Sequence, residues 1–149
     1  MSEGDGLRAA QFSCVAVGGR GLLIDGAPGS GKSSLALALI DRGAVLVGDD
    51  GVMLRAADAR LVAAPHPAIA GKLEVRNLGL VDLPVSAPVP VALVIRLDDA
   101  AERFIEAAER TRLLGVELPL VRLWPSSPVL ALKAELALRQ YGLDHARQE

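Results

Sequence analysis

Apolar positions in this chain fall mostly in short continuous runs, with few long helical stripes. Phe12 to Val17 and Gly21 to Ile24 lie on either side of Gly18-Gly19, a spacing that predicts two strands joined by a tight turn. A polar, glycine-rich stretch follows. Leu35, Leu37, Leu39 and Ile40 then predict a helix, with Gly43 after Asp41-Arg42 as its stop. Ala44 to Val47 is too short an apolar run for a helix and reads as a strand buried on both faces. Val52 to Leu54 and Arg60 to Ala64, broken at Ala57-Asp58, predict a second hairpin that Pro65-His66-Pro67 closes. Leu73 to Leu83 alternates as a strand would, Pro84 to Pro90 is a connection, and Val91 to Leu97 is a further strand. Two helices are expected at the end. One runs from Asp98 or Asp99 as N-cap to Leu114 with Gly115 as stop; the other starts at Ser127-Pro128 and runs to Tyr141, stopped by Gly142. Strands outnumber helices without regular alternation, so the expected fold is α/β with a mixed sheet.

Composition narrows the function classes. With 149 residues, 51% of them hydrophobic, one domain over 1–149 is expected, residues 1–10 forming a flexible tail. A net charge of −2, no basic run and only 3% aromatic residues argue against a nucleic-acid partner. No run approaches the roughly 20 apolar residues of a membrane span. Cys14 is the single cysteine, which permits no internal disulfide and reads as a buried strand residue. Met1 to Ala10 has neither a basic nor an apolar leader segment, so a reducing cytoplasm is the expected location.

The glycine-rich stretch Gly26-Ala27-Pro28-Gly29-Ser30-Gly31-Lys32-Ser33 matches G-x-x-x-x-G-K-[ST] between a strand and a helix, the context of a phosphate-binding P-loop. Its glycines let backbone N–H groups turn inward around an anion, and the helix dipole points at the same place. Lys32 is placed to neutralise β- and γ-phosphates, and Ser33 to offer a hydroxyl to Mg²⁺; ATP with Mg²⁺ is the expected ligand. Ser34 has no assigned task. Such a loop needs a second acidic element at the tip of a neighbouring strand. Asp49-Asp50 follows the strand one helix later, whereas Asp98-Asp99 is better explained as a helix cap, so Asp49-Asp50 is preferred. Adjacent carboxylates repel, and a divalent ion would relieve that repulsion, leaving one as base and the other as support.

Three segments together resemble HPr kinase/phosphorylase, a bacterial enzyme family that phosphorylates a serine of the phosphocarrier HPr. They are the loop Gly26–Ser33, the tip Val47-Gly48-Asp49-Asp50, and Leu73-Glu74-Val75-Arg76-Asn77-Leu78-Gly79-Leu80-Val81-Asp82-Leu83, which is similar to the family signature L-E-[IV]-R-G-x-G-[IV]-x-[DN]-[IV]. By pattern alone, Glu74 and Arg76 would be the solvated face of a half-buried strand. The resemblance implies a P-loop fold like that of phosphoenolpyruvate carboxykinase, in the short catalytic-domain form found in alphaproteobacteria. It implies that Asp49 takes the serine proton, that Ser33 and Glu74 bind Mg²⁺, that Lys32 holds the transferring phosphate, and that Glu74, Arg76 and Gly79 shape the kinase site. Arg103, after Glu102, corresponds to a later family arginine or is an exposed helix arginine. Family members form hexamers, which implies a homo-oligomer, and Val129, Leu132 and Leu136 form one apolar face of the last helix that packs inward or joins such an interface.

Three departures stand out. The family's usual histidine ahead of the loop falls at Gln11, which neither His66 nor His145 replaces, and the acidic residue after the loop serine is Ser34. The family's P-V-x-P-G-R-N-L segment corresponds to Leu123–Leu130 and lacks its arginine, so a kinase with weak or no phosphorylase activity is expected. The alternative is a nucleotide-sensing module that binds the phosphocarrier without turnover. No N-K-x-D motif or arginine-rich lid supports a GTPase or a small-molecule kinase.

Overall fold

The computed structural model describes residues 8–144. Nine strands form one curled mixed sheet, with the path β1-β5-β6-β9-β3-β2-β4 and the β10–β11 pair joined to β9. These strands are β1 (Arg8–Ala10), β2 (Ser13–Val17), β3 (Arg20–Asp25), β4 (Val45–Gly48), β5 (Val52–Ala57), β6 (Arg60–Pro65), β9 (Val89–Leu97), β10 (Glu109–Leu113) and β11 (Val116–Leu123). A separate two-stranded hairpin joins β7 (Lys72–Val75) to β8 (Gly79–Asp82), and two helices complete the molecule, α1 (Lys32–Asp41) and α2 (Leu130–Tyr141).

β9 is the pivot of the sheet. It pairs in parallel with β3 on one side, while its other side pairs antiparallel with β6 at its start and parallel with β11 at its end. Its run Val91 to Ile95 is fully or almost fully buried, because both faces of the sheet are covered. Leu22, Ile24, Leu93 and Ile95 pack with Leu35 and Leu39 of α1 and with Ala134 and Leu138 of α2. Cys14, Leu23, Val91 and Val94 pack on the opposite face with Val52, Leu61 and Leu118. Leu46 belongs to the first cluster and Val47 to the second, so that strand is buried on both faces there, while Val45 of the same run is exposed. Burial also pushes the Cys14 thiol up to about 12.

The sheet departs from the sequence reading in three places. No helix follows Asp98: residues 98–108 are irregular and Glu109–Leu113 form β10. Leu114 and Gly115, with φ of 48° and 82°, make the two-residue turn of a hairpin, so the glycine read as a helix stop reverses a strand. Thr111 and Leu113 then pair with Leu118 and Val116. Leu73 to Leu83 is a hairpin rather than one strand, because Asn77 at φ 74° and Gly79 at φ 101° turn the chain back. Arg8–Ala10, expected within a tail, add β1 to the edge of β5. The rest of that segment, residues 1–7, and His145 lie outside the described residues. Among the described residues no helix is long and apolar enough to cross a membrane.

Candidate functional site

β3 delivers the chain into the loop of residues 26–31 at the carboxyl edge of the parallel strands, where α/β sheets leave a crevice. Gly29 and Gly31 have φ of 80° and 108°, a backbone conformation that β-carbons disfavour. A Cβ at Gly26 would lie 2.5 Å from Ser30 Oγ and 3.3 Å from Leu97 Cβ, so a larger residue there would have to displace the Ser30 hydroxyl. Gly31 caps α1 without a side-chain hydrogen bond, and the first turn holds no acidic residue. The N–H groups of Lys32, Ser33 and Ser34 therefore have no intrahelical carbonyl to bond, and all three residues line the same cleft. Lys32 Nζ donates to the Gly26 carbonyl at 2.8 Å, which leaves two ammonium donors for a ligand. Ser30 Oγ is buried without a partner among the described residues.

The acidic tip at the end of β4 reaches this loop from the next-but-one strand. A Cβ at Gly48 would collide with the Gly51 carbonyl, and Gly51 N–H bonds Phe12 O at 3.0 Å, which bends Asp49 and Asp50 toward the loop. Asp49 is held from three elements. Its Oδ1 accepts Ser33 Oγ at 2.6 Å and Ser13 Oγ at 2.9 Å, and its Oδ2 accepts the Glu74 N–H at 3.1 Å. Asp50 is exposed, at φ 57°, and its N–H bonds Ser13 Oγ at 3.3 Å.

A cleft of about 670 Å³ joins these parts, lined among others by Asp25, Lys32, Ser33, Asp49, Glu74 and Arg76. Lys32, Ser33, Asp49, Asp50, Glu74 and Arg76, read from three distant segments, are thus brought together. Of the loop, Gly26, Pro28, Gly29 and Gly31 line the cleft, while Ala27 is an exposed loop residue. Gly79 stays at the hairpin turn, outside the lining. Arg103 is not brought to the cleft: it lines a separate cavity of about 170 Å³ with Trp124 and Lys133. Asp98 is engaged elsewhere too. The Ala100 N–H and Arg122 hold its carboxyl below the usual carboxylate range.

Ser13 and Asp25 escaped the sequence reading. Ser13, at the head of β2, is the one fully buried polar residue among the described residues, and a hydroxyl inside an apolar run was the available signal. Asp25 accepts the Gly26 N–H at 2.9 Å and pairs with Arg96 at 2.7 Å, but an acid at the end of a strand carries no distinctive pattern.

The donor set fits Mg²⁺ with phosphates. Four carboxylates and two basic side chains line the cleft, so a polyphosphate enters without strong repulsion only with a cation beside it. The oxygens of Ser33, Asp49, Asp50 and Glu74 are hard donors. No cluster of three or more His, Cys, Asp or Glu among the described residues is spaced to hold a metal by itself, so an ion here would need further oxygens from phosphate or water.

Comparisons with known proteins agree on one family. The family model for the HPr Serine kinase C-terminal domain matches residues 8–124. An HPr kinase/phosphorylase of Chlorobium chlorochromatii is 39% identical over 125 residues, covering 74% of this chain and 38% of that protein. One from Chloroherpeton thalassium is 34% identical over 158 residues, covering 91% of this chain and 46% of that one. The chain therefore spans less than half the length of these relatives. The HPr(Ser) kinase/phosphatase structure from Coxiella burnetii superposes with a TM-score of 0.79 at 25% identity, covering 89% of this chain and 94% of that chain. That match supports the α/β, mixed-sheet kinase fold.

Proposed function

This chain belongs to the HPr serine kinase C-terminal domain family, and from that membership we propose that it transfers the γ-phosphoryl group of ATP to a serine of an HPr-type phosphocarrier. The observation that carries the reading is Asp49, fixed by three hydrogen bonds beside Ser33 in the cleft that also holds Lys32. A carboxylate that cannot swing away orients an incoming hydroxyl at little further entropic cost. Oδ1 is occupied by two hydroxyl donors, whereas Oδ2 carries only the Glu74 N–H and keeps a lone pair for the serine proton. As the serine oxygen bonds to the γ-phosphorus, the bond to the bridging oxygen breaks and ADP leaves. Lys32 and the amides of the loop and of α1 bind the phosphates and oppose the charge that develops. The Ser33 hydroxyl oxygen and the Glu74 carboxylate would hold Mg²⁺, which supplies charge neutralisation at the β- and γ-phosphates when bound. Ser33 can go on donating its hydroxyl hydrogen to Asp49 Oδ1 while doing so. Asp50 supports the tip, and Arg76 and Gly79 shape the acceptor side. Arg103, outside this cleft, fits a role only toward a docked partner or a neighbouring subunit.

The proposed activity is a kinase with weak or no phosphorylase function, since Leu123–Leu130 lacks the arginine that a second anion needs. A cytoplasmic, homo-oligomeric enzyme is the accompanying reading, without nucleic-acid or membrane partners. The test is intact-mass analysis of an HPr-type protein incubated with this chain, ATP and Mg²⁺, beside Asp49→Asn. One added phosphate, reduced about 10²- to 10⁴-fold in rate in the variant with ATP binding retained, is expected. ATP binding without any mass change would instead favour the nucleotide-sensing module. Pyrophosphate release from the phosphorylated partner and inorganic phosphate should be far slower than the forward reaction; comparable rates would refute the weak-phosphorylase reading.

A further inference from the structure

Asp25 is an anomaly in a phosphate cleft. Its carboxylate lines the site of a polyphosphate, where its charge opposes the ligand. The local geometry explains its presence in part: Oδ1 accepts the Gly26 N–H at 2.9 Å, a donor at the start of the loop that would otherwise need a partner. The Lys32 ammonium takes the Gly26 carbonyl, so both polar groups of this residue are gripped by flanking side chains. The first turn of the loop is thereby set before any ligand arrives.

The remaining oxygen of Asp25 accepts Arg96 Nε at 2.7 Å. Strand register makes this contact specific. Asp25 stands opposite Arg96 on the parallel pair β3–β9, and Arg96 stands opposite Arg122 on β9–β11, so three charges form a row across the carboxyl edge of the sheet. Arg122 is already neutralised by Asp98 at 2.9 Å and Glu109 at 2.8 Å. Arg96 has Asp25 as its own partner in that row. Asp25 lines the cleft, whereas Arg96 lies outside that lining and meets the carboxylate from behind; at 27% and 35% exposure the two charges are only partly screened by solvent.

We propose that Asp25 and Arg96 set the nucleotide affinity of the loop as opposed positioning residues: Asp25 holds the first loop amide while repelling the phosphates, and Arg96 offsets that repulsion. The inference rests on the reading of the cleft as an ATP site. It separates two effects that an ordinary structural ion pair would combine. Asparagine at position 25 still offers an oxygen to the Gly26 amide but removes the negative charge. Glutamine at position 96 leaves the Asp25 charge unopposed.

The experiment is calorimetric titration of ATP with Mg²⁺ into the full chain, Asp25→Asn, Arg96→Gln and the double variant, each with its thermal midpoint. The expected result is opposite in sign for the two single variants. Asp25→Asn binds ATP about threefold to tenfold more tightly, and Arg96→Gln more weakly by a similar factor. Raising the salt concentration shrinks both differences, and the double variant returns to within about twofold of the unaltered chain. Weaker binding in both single variants, or unchanged binding in both, overturns the proposal. Should Arg96→Gln fail to fold, Asp25→Asn decides alone, because only the proposed repulsion makes loss of a carboxylate tighten binding. Absence of ATP binding by the unaltered chain would overturn the proposed function itself, a result distinct from a wrong sign.

Discussion

At the residue scale, the acidic tip shows how a motif acquires geometry. Asp49 could be selected from sequence because a P-loop requires an acid on a neighbouring strand, yet its orientation depends on Ser13, Ser33 and the Glu74 amide. All three lie in other segments, 16 to 36 residues away in sequence, and the amide of Glu74 is a backbone group with no sequence signature at all. The side chain of Glu74 was legible only through the family signature. Cys14 provides a residue-scale prediction from burial alone. Burial pushes its thiol from an ordinary 9.0 up to about 12 in the folded chain. The unfolded chain therefore loses this proton first: the contribution to stability is intact below pH 9 and is lost as pH rises from 9 toward 12. Denaturant midpoints measured at pH 8 and pH 10 should fall for this chain and fall less for Cys14→Ala. At pH 8 the thiol should react with a thiol reagent only after unfolding.

At the scale of elements, hairpin turns decided what hydrophobic pattern left ambiguous. Residues 98–114 carry a capping acid, helix-compatible residues and a terminal glycine, all of which suit a helix, but pairing of Glu109–Leu113 with β11 buries Val116, Leu118 and Leu120 in the sheet. Tertiary burial overrode local preference. Another turn offers a test. Asp58 and Ala59, between β5 and β6, have φ of 54° and 64°, and Ala59 is exposed in a conformation that costs an L-residue about 1 kcal/mol. Ala59→Gly should stabilise the chain by about 1 kcal/mol and raise its thermal midpoint by about 3 °C. A decrease in the midpoint by calorimetry would contradict the turn assignment.

At the scale of the whole molecule, α2 covers the first core cluster through Ala134, Ala137 and Leu138 while leaving Val129 48%, Leu132 41% and Leu136 44% exposed. The apolar face noted in the sequence is therefore not the face that the sheet buries, and it is the face available to the proposed homo-oligomer. If the proposed homo-oligomer uses this face, Leu132→Glu combined with Leu136→Glu lowers the mass measured by light scattering while leaving the thermal midpoint within a few degrees; a monomeric mass for the unaltered chain would refute the oligomer, and an unchanged larger mass would refute this face. The amino-acid sequence by itself determined the glycine-rich loop, the strand and helix that carry it, the acidic tip and the family, because each depends on residue types at fixed short spacing. Tertiary structure alone decided that β9 and β11 run in parallel, that β7–β8 lays the Glu74 amide on Asp49, and that Asp25, Arg96 and Arg122 form one row. Those outcomes depend on strand register between distant segments, which is set by burial on both faces of the sheet and leaves no local pattern to read.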